Sequence, residues 1–261
     1  MGELPPMSAV APVRQEVDVA TRMTARSVVL SVLLGAHPAR ATAAELLRLT
    51  GDFGIKESAL RVALTRMVSA GDLVRAQDGY RLSDRLRARQ RRQDAALDPV
   101  TRDWDGSWIT VVVTAVGADP RIRATLRITL QQNRFAELRE GVWMRPDNLV
   151  AELPDEFRGL VRVFRAQDDA PAQLATTLWD LAGWAKTGRA LLRDMDRADG
   201  IPDQFAVAAA MVRHLLTDPV LPTELLPADW PADRLRAAYA DFAAVLADRR
   251  DAAQARLVEA R

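Results

Sequence analysis

Residues 42–71 hold two amphipathic helices with only Gly51-Asp-Phe-Gly54 between them. No other feature constrains the fold as much. Thr42-Ala-Ala-Glu45 is a capping box, so the first of these helices starts at Thr42; Leu46, Leu47 and Leu49 follow, and Gly51 ends it. The second is expected over about 56–70, closed by Gly71. A third helix precedes them, roughly Ala25–Leu34, with Thr24 as N-cap and Gly35 and Pro38 as its stop. After Gly71, LVRAQDGYRL alternates around Asp78-Gly79, a strong hairpin signal. Three helices followed by a two-stranded wing predict a winged helix-turn-helix.

The 56–70 helix has an unusual outer face. At 100° per residue, Leu60, Ala63, Leu64, Met67 and Val68 gather on one side. Ser58, Val62, Thr65, Arg66 and Ser69 point away, with Arg61 at the border. In a helix-turn-helix the second helix enters the major groove. Arginine there can grip guanine bidentately, Ser and Thr can bond bases or phosphates, and an exposed Val can meet a thymine methyl. The presumed groove face has no acid, and Glu57 sits in the first turn, where the helix dipole favours it. Charge agrees. Residues 22–92 hold 14 Lys/Arg against 6 Asp/Glu, while the whole chain carries only +1. A basic segment on a neutral chain is the footprint of nucleic-acid binding. Arg75 and Arg81 of the wing are expected to reach phosphate or a minor groove. The following RLRARQRRQD adds Arg85, Arg87, Arg89, Arg91 and Arg92 for sequence-independent affinity. The plain alternatives are a solvated helix face, a solvated linker helix, or a winged helix that binds protein.

Downstream, DPVTRDW at 98–104 reads as a boundary. ITVVVTAV is a β-branched strand covered on both faces, and a helix with Leu126 and Leu130 follows Pro120. Two more strand-like runs, 141–146 and 160–164, complete a small ferredoxin-like α/β domain. Beyond Pro171 the pattern is helical only: 173–195, about 203–217 and 231–257. The 261 residues contain no cysteine and two histidines, His37 and His214, which excludes disulfides, thiolate metal sites and a histidine-rich zinc site. No P-loop or dinucleotide fingerprint is present. No apolar run is long enough for a membrane span, and residues 1–21 read as a mobile tail rather than a signal peptide, so a cytoplasmic protein without a membrane partner is expected.

The order and wording of several stretches resemble the PaaX family of transcriptional regulators. These are RSVVLSVLLGAHP, FGIKESALRVALTRMVSAGDLVR, GYRLSDRL, WDGSWITVVV, FAELREGVWMRPDNL, LWDL and DPVLPTELLPADWP, spread over roughly residues 22–231. The resemblance implies a homodimeric repressor on a double-stranded DNA operator, released by an acyl-CoA thioester, which is phenylacetyl-CoA in the namesake. It implies a middle domain similar to CRISPR-associated ferredoxin-like nucleases. Those carry a metal-binding carboxylate at the end of their first strand; here that strand ends Thr114-Ala-Val-Gly117 and the first acid is Asp119, against a metal nuclease. Before DPVLP the sequence is MVRHLLT, keeping Arg213 and His214 of an expected aromatic and arginine-rich stretch. Trp179 and Trp184 are candidates to line an acyl pocket, with Arg189, Arg193 or Arg213 for CoA phosphates and His214 nearby; their alternative is ordinary core.

The expected architecture is α+β: a mobile tail (1–21), a winged helix-turn-helix (22–84), a basic linker (85–103), a central ferredoxin-like α/β domain (104–170) and a C-terminal all-helical effector and dimerisation domain (171–261). No cofactor or catalytic residue is expected. The rival classes are an enzyme, either a nuclease through the central domain or an acyl-CoA hydrolase using His214, and a protein-binding adaptor.

Overall fold

A computed structural model describes residues 23–114, 119–150 and 155–259. The tail expected over 1–21 and the strand-end residues Ala115–Gly117 lie outside the described residues.

The winged helix is built as its caps dictate. Thr24 accepts the Ser27 amide and starts α1 (Ala25–Gly35). The capping box opens α2 (Ala43–Gly51): Thr42 Oγ1 accepts the Glu45 amide at 3.1 Å, and Glu45 accepts the Thr42 amide at 2.6 Å. Gly54, at φ +65°, turns the chain into α3 (Glu57–Ser69), and Gly71, at φ +70°, turns it out. Leu33, Leu46, Leu60, Leu64 and Met67 form the core of this unit, closed from below by Leu73 and Leu82 of the wing.

The wing has three strands where two were expected. Residues Arg40–Ala41 form β1 and pair with β3 (Gly79–Leu82), which pairs in turn with β2 (Leu73–Ala76). This shifts the turn. Ala76 pairs with Gly79, so the loop is Gln77-Asp78 rather than Asp78-Gly79. The glycine serves the third strand: a Cβ at residue 79 would lie 2.3 Å from the Ala41 carbonyl oxygen.

The segment expected to be a linker contains a structural helix, α4 (Asp84–Leu97). Its buried positions, Leu86, Gln90, Gln93 and Ala96, recur every three or four residues. Gln90 Nε2 donates to the carbonyls of Leu34 (3.1 Å) and Ala36 (2.9 Å), satisfying the open end of α1.

The central sheet runs β5-β6-β4-β7, all antiparallel, from β4 (Ser107–Val113), β5 (Ala136–Arg139), β6 (Val142–Pro146) and β7 (Val161–Gln167). That order is ferredoxin-like. Helix α5 (Pro120–Gln132) covers one face through Leu126 and Leu130 on Val111, Trp143 and Val161. Where a second helix belongs, the described residues hold a 3-10 turn, Asp155–Phe157. The other face, around Trp108, packs on α6 (Pro171–Leu178). Strand β5 was not expected, because AELR carries two charges in four residues and shows no clean alternation.

The helix expected over 173–195 is two helices. Trp179 is extended (φ −135°, ψ 140°) and stacks on Trp108 at 6.4 Å; Asp180 then caps α7 (Leu181–Arg197) by accepting the Gly183 amide. Burying both indoles on one face requires that break. Helices α8 (Gly200–Leu215) and α9 (Ala232–Glu259) complete the C-terminal region. Three junctions bind the regions together. Arg236 bridges the Ala96 carbonyl (3.1 Å) and Asp218 (2.5 Å); Asn148 donates to the Val220 carbonyl (2.9 Å); Arg134 donates to the Leu216 carbonyl.

Candidate nucleic-acid interface

Helix α3 presents Ser58, Arg61, Val62, Thr65, Arg66 and Ser69 to solvent, while Leu60, Leu64 and Met67 are buried. Val62 is 50% exposed, with no core contact to explain an apolar residue there. Thr65 Oγ1 donates to the Arg61 carbonyl (3.0 Å), which leaves the hydroxyl oxygen free to accept. Arg61 is not free: Nε and Nη2 reach Glu57 Oε1 at 2.9 and 2.5 Å. Glu57 stands in the first turn of α3, as expected, and holds the border residue Arg61. An exposed i,i+4 pair contributes only about 0.3–0.5 kcal/mol. A bidentate arginine–guanine contact is worth about 1–3 kcal/mol. A guanine held by Arg61 would therefore outweigh its pair with Glu57.

Register sorts the wing's cations. Arg40 pairs with Arg81, and Val74 with Arg81, so Arg40 and Arg81 share one face of the sheet. Arg75 pairs with Tyr80 and lies on the opposite face. Arg40, Arg66, Arg75 and Arg81 make no ion pair among the described residues. Arg40 was missed by sequence reasoning because Pro38-Ala39-Arg40 resembles a loop; only its long-range pairing reveals it. Arg85 has an ion-pair partner. Its guanidinium bonds Asp72 Oδ1 at 2.5 Å while Arg26 holds Oδ2 at 2.8 Å, and the Asp72 side chain is buried. Arg85, whose side chain is 69% exposed, thereby joins α4 to α1 and the α3–β2 turn in a clasp. Arg87 lies two residues further along α4, exposed, with Asp84 at 4.0 Å.

Three family models match the chain in order: the PaaX-like protein over residues 24–86, the PaaX protein central Cas2-like domain over 101–175, and the PaaX-like protein C-terminal domain over 182–256. This chain belongs to the PaaX family. A solved structure, described as an uncharacterized protein Rv0674 from Mycobacterium tuberculosis, is 66% identical; the match covers 89% of this chain and 99% of that one, with a TM-score of 0.80. No curated protein matches. Membership suggests a transcriptional regulator, in a family that is regulatory rather than catalytic.

In this PaaX-family chain the expected effector residues do not converge. Trp179 belongs to the cluster around Trp108. Trp184 belongs to another, stacked between His214 (4.1 Å) and Trp230 (4.4 Å), with Nε1 donating to Thr217 Oγ1 at 3.1 Å. His214 Nε2 meets the Trp184 carbonyl at 3.0 Å. Burial depresses the His214 pKa, opposed by that carbonyl and by Asp218. Arg189 and Arg193 are exposed on α7, and Arg213 is exposed on α8 on the side facing α1. Both indoles are partly buried and pack against apolar clusters. In the central domain Asp119 caps α5, accepting the Arg121 amide at 2.8 Å. No group of three His, Asp or Glu side chains is placed to hold a metal among the described residues.

Proposed function

We propose that this chain is a transcriptional repressor that binds a pseudo-palindromic operator as a homodimer. An acyl-CoA thioester, with phenylacetyl-CoA the first candidate, releases it. The observation that carries the reading is the outer face of α3, where Ser58, Val62, Thr65 and Arg66 stand exposed, on the same small unit as the unpaired Arg40 and Arg81 of the wing. Helix α3 enters the major groove and the wing arginines meet the backbone. Two copies place their recognition helices about one helical turn apart. Effector binding mainly to the DNA-incompetent form shifts the population off the operator. No described helix is long and apolar enough to cross a membrane, in keeping with action on cytoplasmic DNA.

The test is binding to the intergenic DNA flanking the gene, against random DNA of equal length, over a salt series. A preference of about a thousandfold is in the range of specific regulators, and log affinity should fall steeply with log salt. Weak, equal binding to both DNAs would overturn the reading and favour a protein-binding winged helix.

A further inference from the structure

A cavity of about 300 Å3 lies between the winged helix and the C-terminal helices. Helix α1 and the end of α2 form one wall, α8 and α9 the other, and α4 an edge. Its interior is apolar, lined by Val32, Leu49, Phe205, Val212, Phe242 and Leu246. Two exposed cations border it, Arg89 from α4 and Arg213 from α8. Neither has a hydrogen-bond or ion-pair partner among the described residues, and no Asp or Glu lines the cavity. His37, paired with Asp94 at 3.2 Å, and Arg250 complete the charged border. Inside, the buried Gln93 amide lies 3.5 Å from the half-buried Tyr239 hydroxyl. An apolar chamber with the unpaired Arg89 and Arg213 at its edge suits a ligand that is apolar at one end and anionic at the other.

The walls also touch the DNA-reading unit. Phe205 lines the cavity and packs edge-on against Phe53, with ring centroids 4.9 Å apart. Arg249 of α9 bonds Asp52 at 3.0 Å. Asp52 and Phe53 form the turn between α2 and the recognition helix. A ligand that moves α8 or α9 relative to α1 therefore moves the start of α3.

We propose that this cavity is the effector site, taking an amphipathic organic anion whose aromatic or acyl end enters and whose acidic or phosphorylated head rests on Arg89 and Arg213. The proposal rests on the reading of the chain as a ligand-responsive regulator, and it moves the effector away from Trp179 and Trp184. Two separate readouts test it on the full chain. The aromatic anion 8-anilinonaphthalene-1-sulfonate reports on the cavity by fluorescence, without DNA. Phenylacetyl-CoA reports on release from the operator. Ala209→Phe narrows the chamber and Arg213→Glu reverses its edge; Arg193→Glu is the control on α7. Dye affinity should fall at least tenfold in the first two variants and stay within twofold in the third. The phenylacetyl-CoA concentration for half-release should rise at least tenfold in the same two. Unchanged dye affinity in Ala209→Phe and Arg213→Glu would overturn the site, as would a loss confined to Arg193→Glu. If the dye arm holds while phenylacetyl-CoA releases nothing, or no operator is found, the site stands and the acyl-CoA or repressor reading falls.

Discussion

Two arginines near α3 show how one residue type serves different ends. Arg66 is exposed and makes no ion pair among the described residues, so its loss should cost the fold little. Arg66→Ala should lower operator affinity about 10- to 100-fold, the worth of a base contact, with the melting temperature unchanged. An unchanged affinity would remove Arg66 from the groove. Arg85 is held by Asp72, whose carboxylate is 3% exposed and accepts from two guanidiniums. Hydrogen bonds to charged groups contribute about 1.5–3 kcal/mol. Asp72→Ala should therefore destabilise the chain by about 2 kcal/mol, read by urea unfolding, and a loss under about 0.5 kcal/mol would show the clasp to be ornamental. His214 adds a pH dependence. Its pKa is depressed in the fold from 6.5, so the folded state prefers the neutral ring. The associated stability is present above about pH 6.5 and is lost as pH falls through the folded pKa. His214→Gln should flatten that part of the melting-temperature profile, and an unchanged slope would assign it to other groups.

Among the elements, the two sheet edges differ in a way that bears on the proposed dimer. Strand β5 has four residues and a register irregularity between Glu137 and Arg139, both of which discourage edge pairing. Strand β7 has seven residues, and leaves Val163 52% and Phe164 55% exposed. An antiparallel pairing of two β7 strands centred on Phe164 sets Phe164 against its copy, Val163 against Arg165 and Arg162 against Ala166, with no arginine facing another. That pairing is two-fold symmetric, as a palindromic operator requires. Phe164→Glu should give a monomer at micromolar concentration by light scattering, with folding stability changed by under about 0.5 kcal/mol because the side chain is exposed. A retained dimer would move the interface to the C-terminal helices. The elements read correctly from sequence were those with a local signature: the capping box at Thr42, the apolar stripe of α3, the β-branched run of β4. The misread elements depend on distant partners. Strand β1 exists only because β3 lies beside it, the α6–α7 break seats Trp179 on Trp108, and the buried stripe of α4 includes Gln90, which donates to carbonyls at the end of α1, and Gln93, which meets the Tyr239 hydroxyl. The outer face of α3 was legible for the same local reason, whereas the Arg85 clasp and the cavity border were not.

Across the whole molecule, the helical region meets the winged helix through an apolar cluster of Val28, Phe205, Ala208 and Phe242 and meets α4 through a buried polar junction. The Asp218 side chain is 1% exposed and Arg236 15%, and their 2.5 Å contact sits where α9 meets the end of α4. Arg236 also donates to the Ala96 carbonyl, so one guanidinium satisfies a buried carboxylate and a helix terminus. Such a pair adds little net stability over an apolar substitute, but removing one partner leaves the other's charge buried and typically costs about 3–5 kcal/mol. Asp218→Ala should therefore lower the melting temperature by about 10 °C. The same junction ties α4 to α9, and both helices border the proposed cavity. Asp218→Ala should thus loosen communication as well as stability. At a temperature where the variant remains folded, operator affinity without ligand should stay within about threefold, because the α3 face is untouched. The effector concentration for half-release should shift, because linkage makes the coupling depend on the two regions moving as one. Normal release in a destabilised variant would show that the signal passes through Phe205 and Phe53 alone, without the α4–α9 junction.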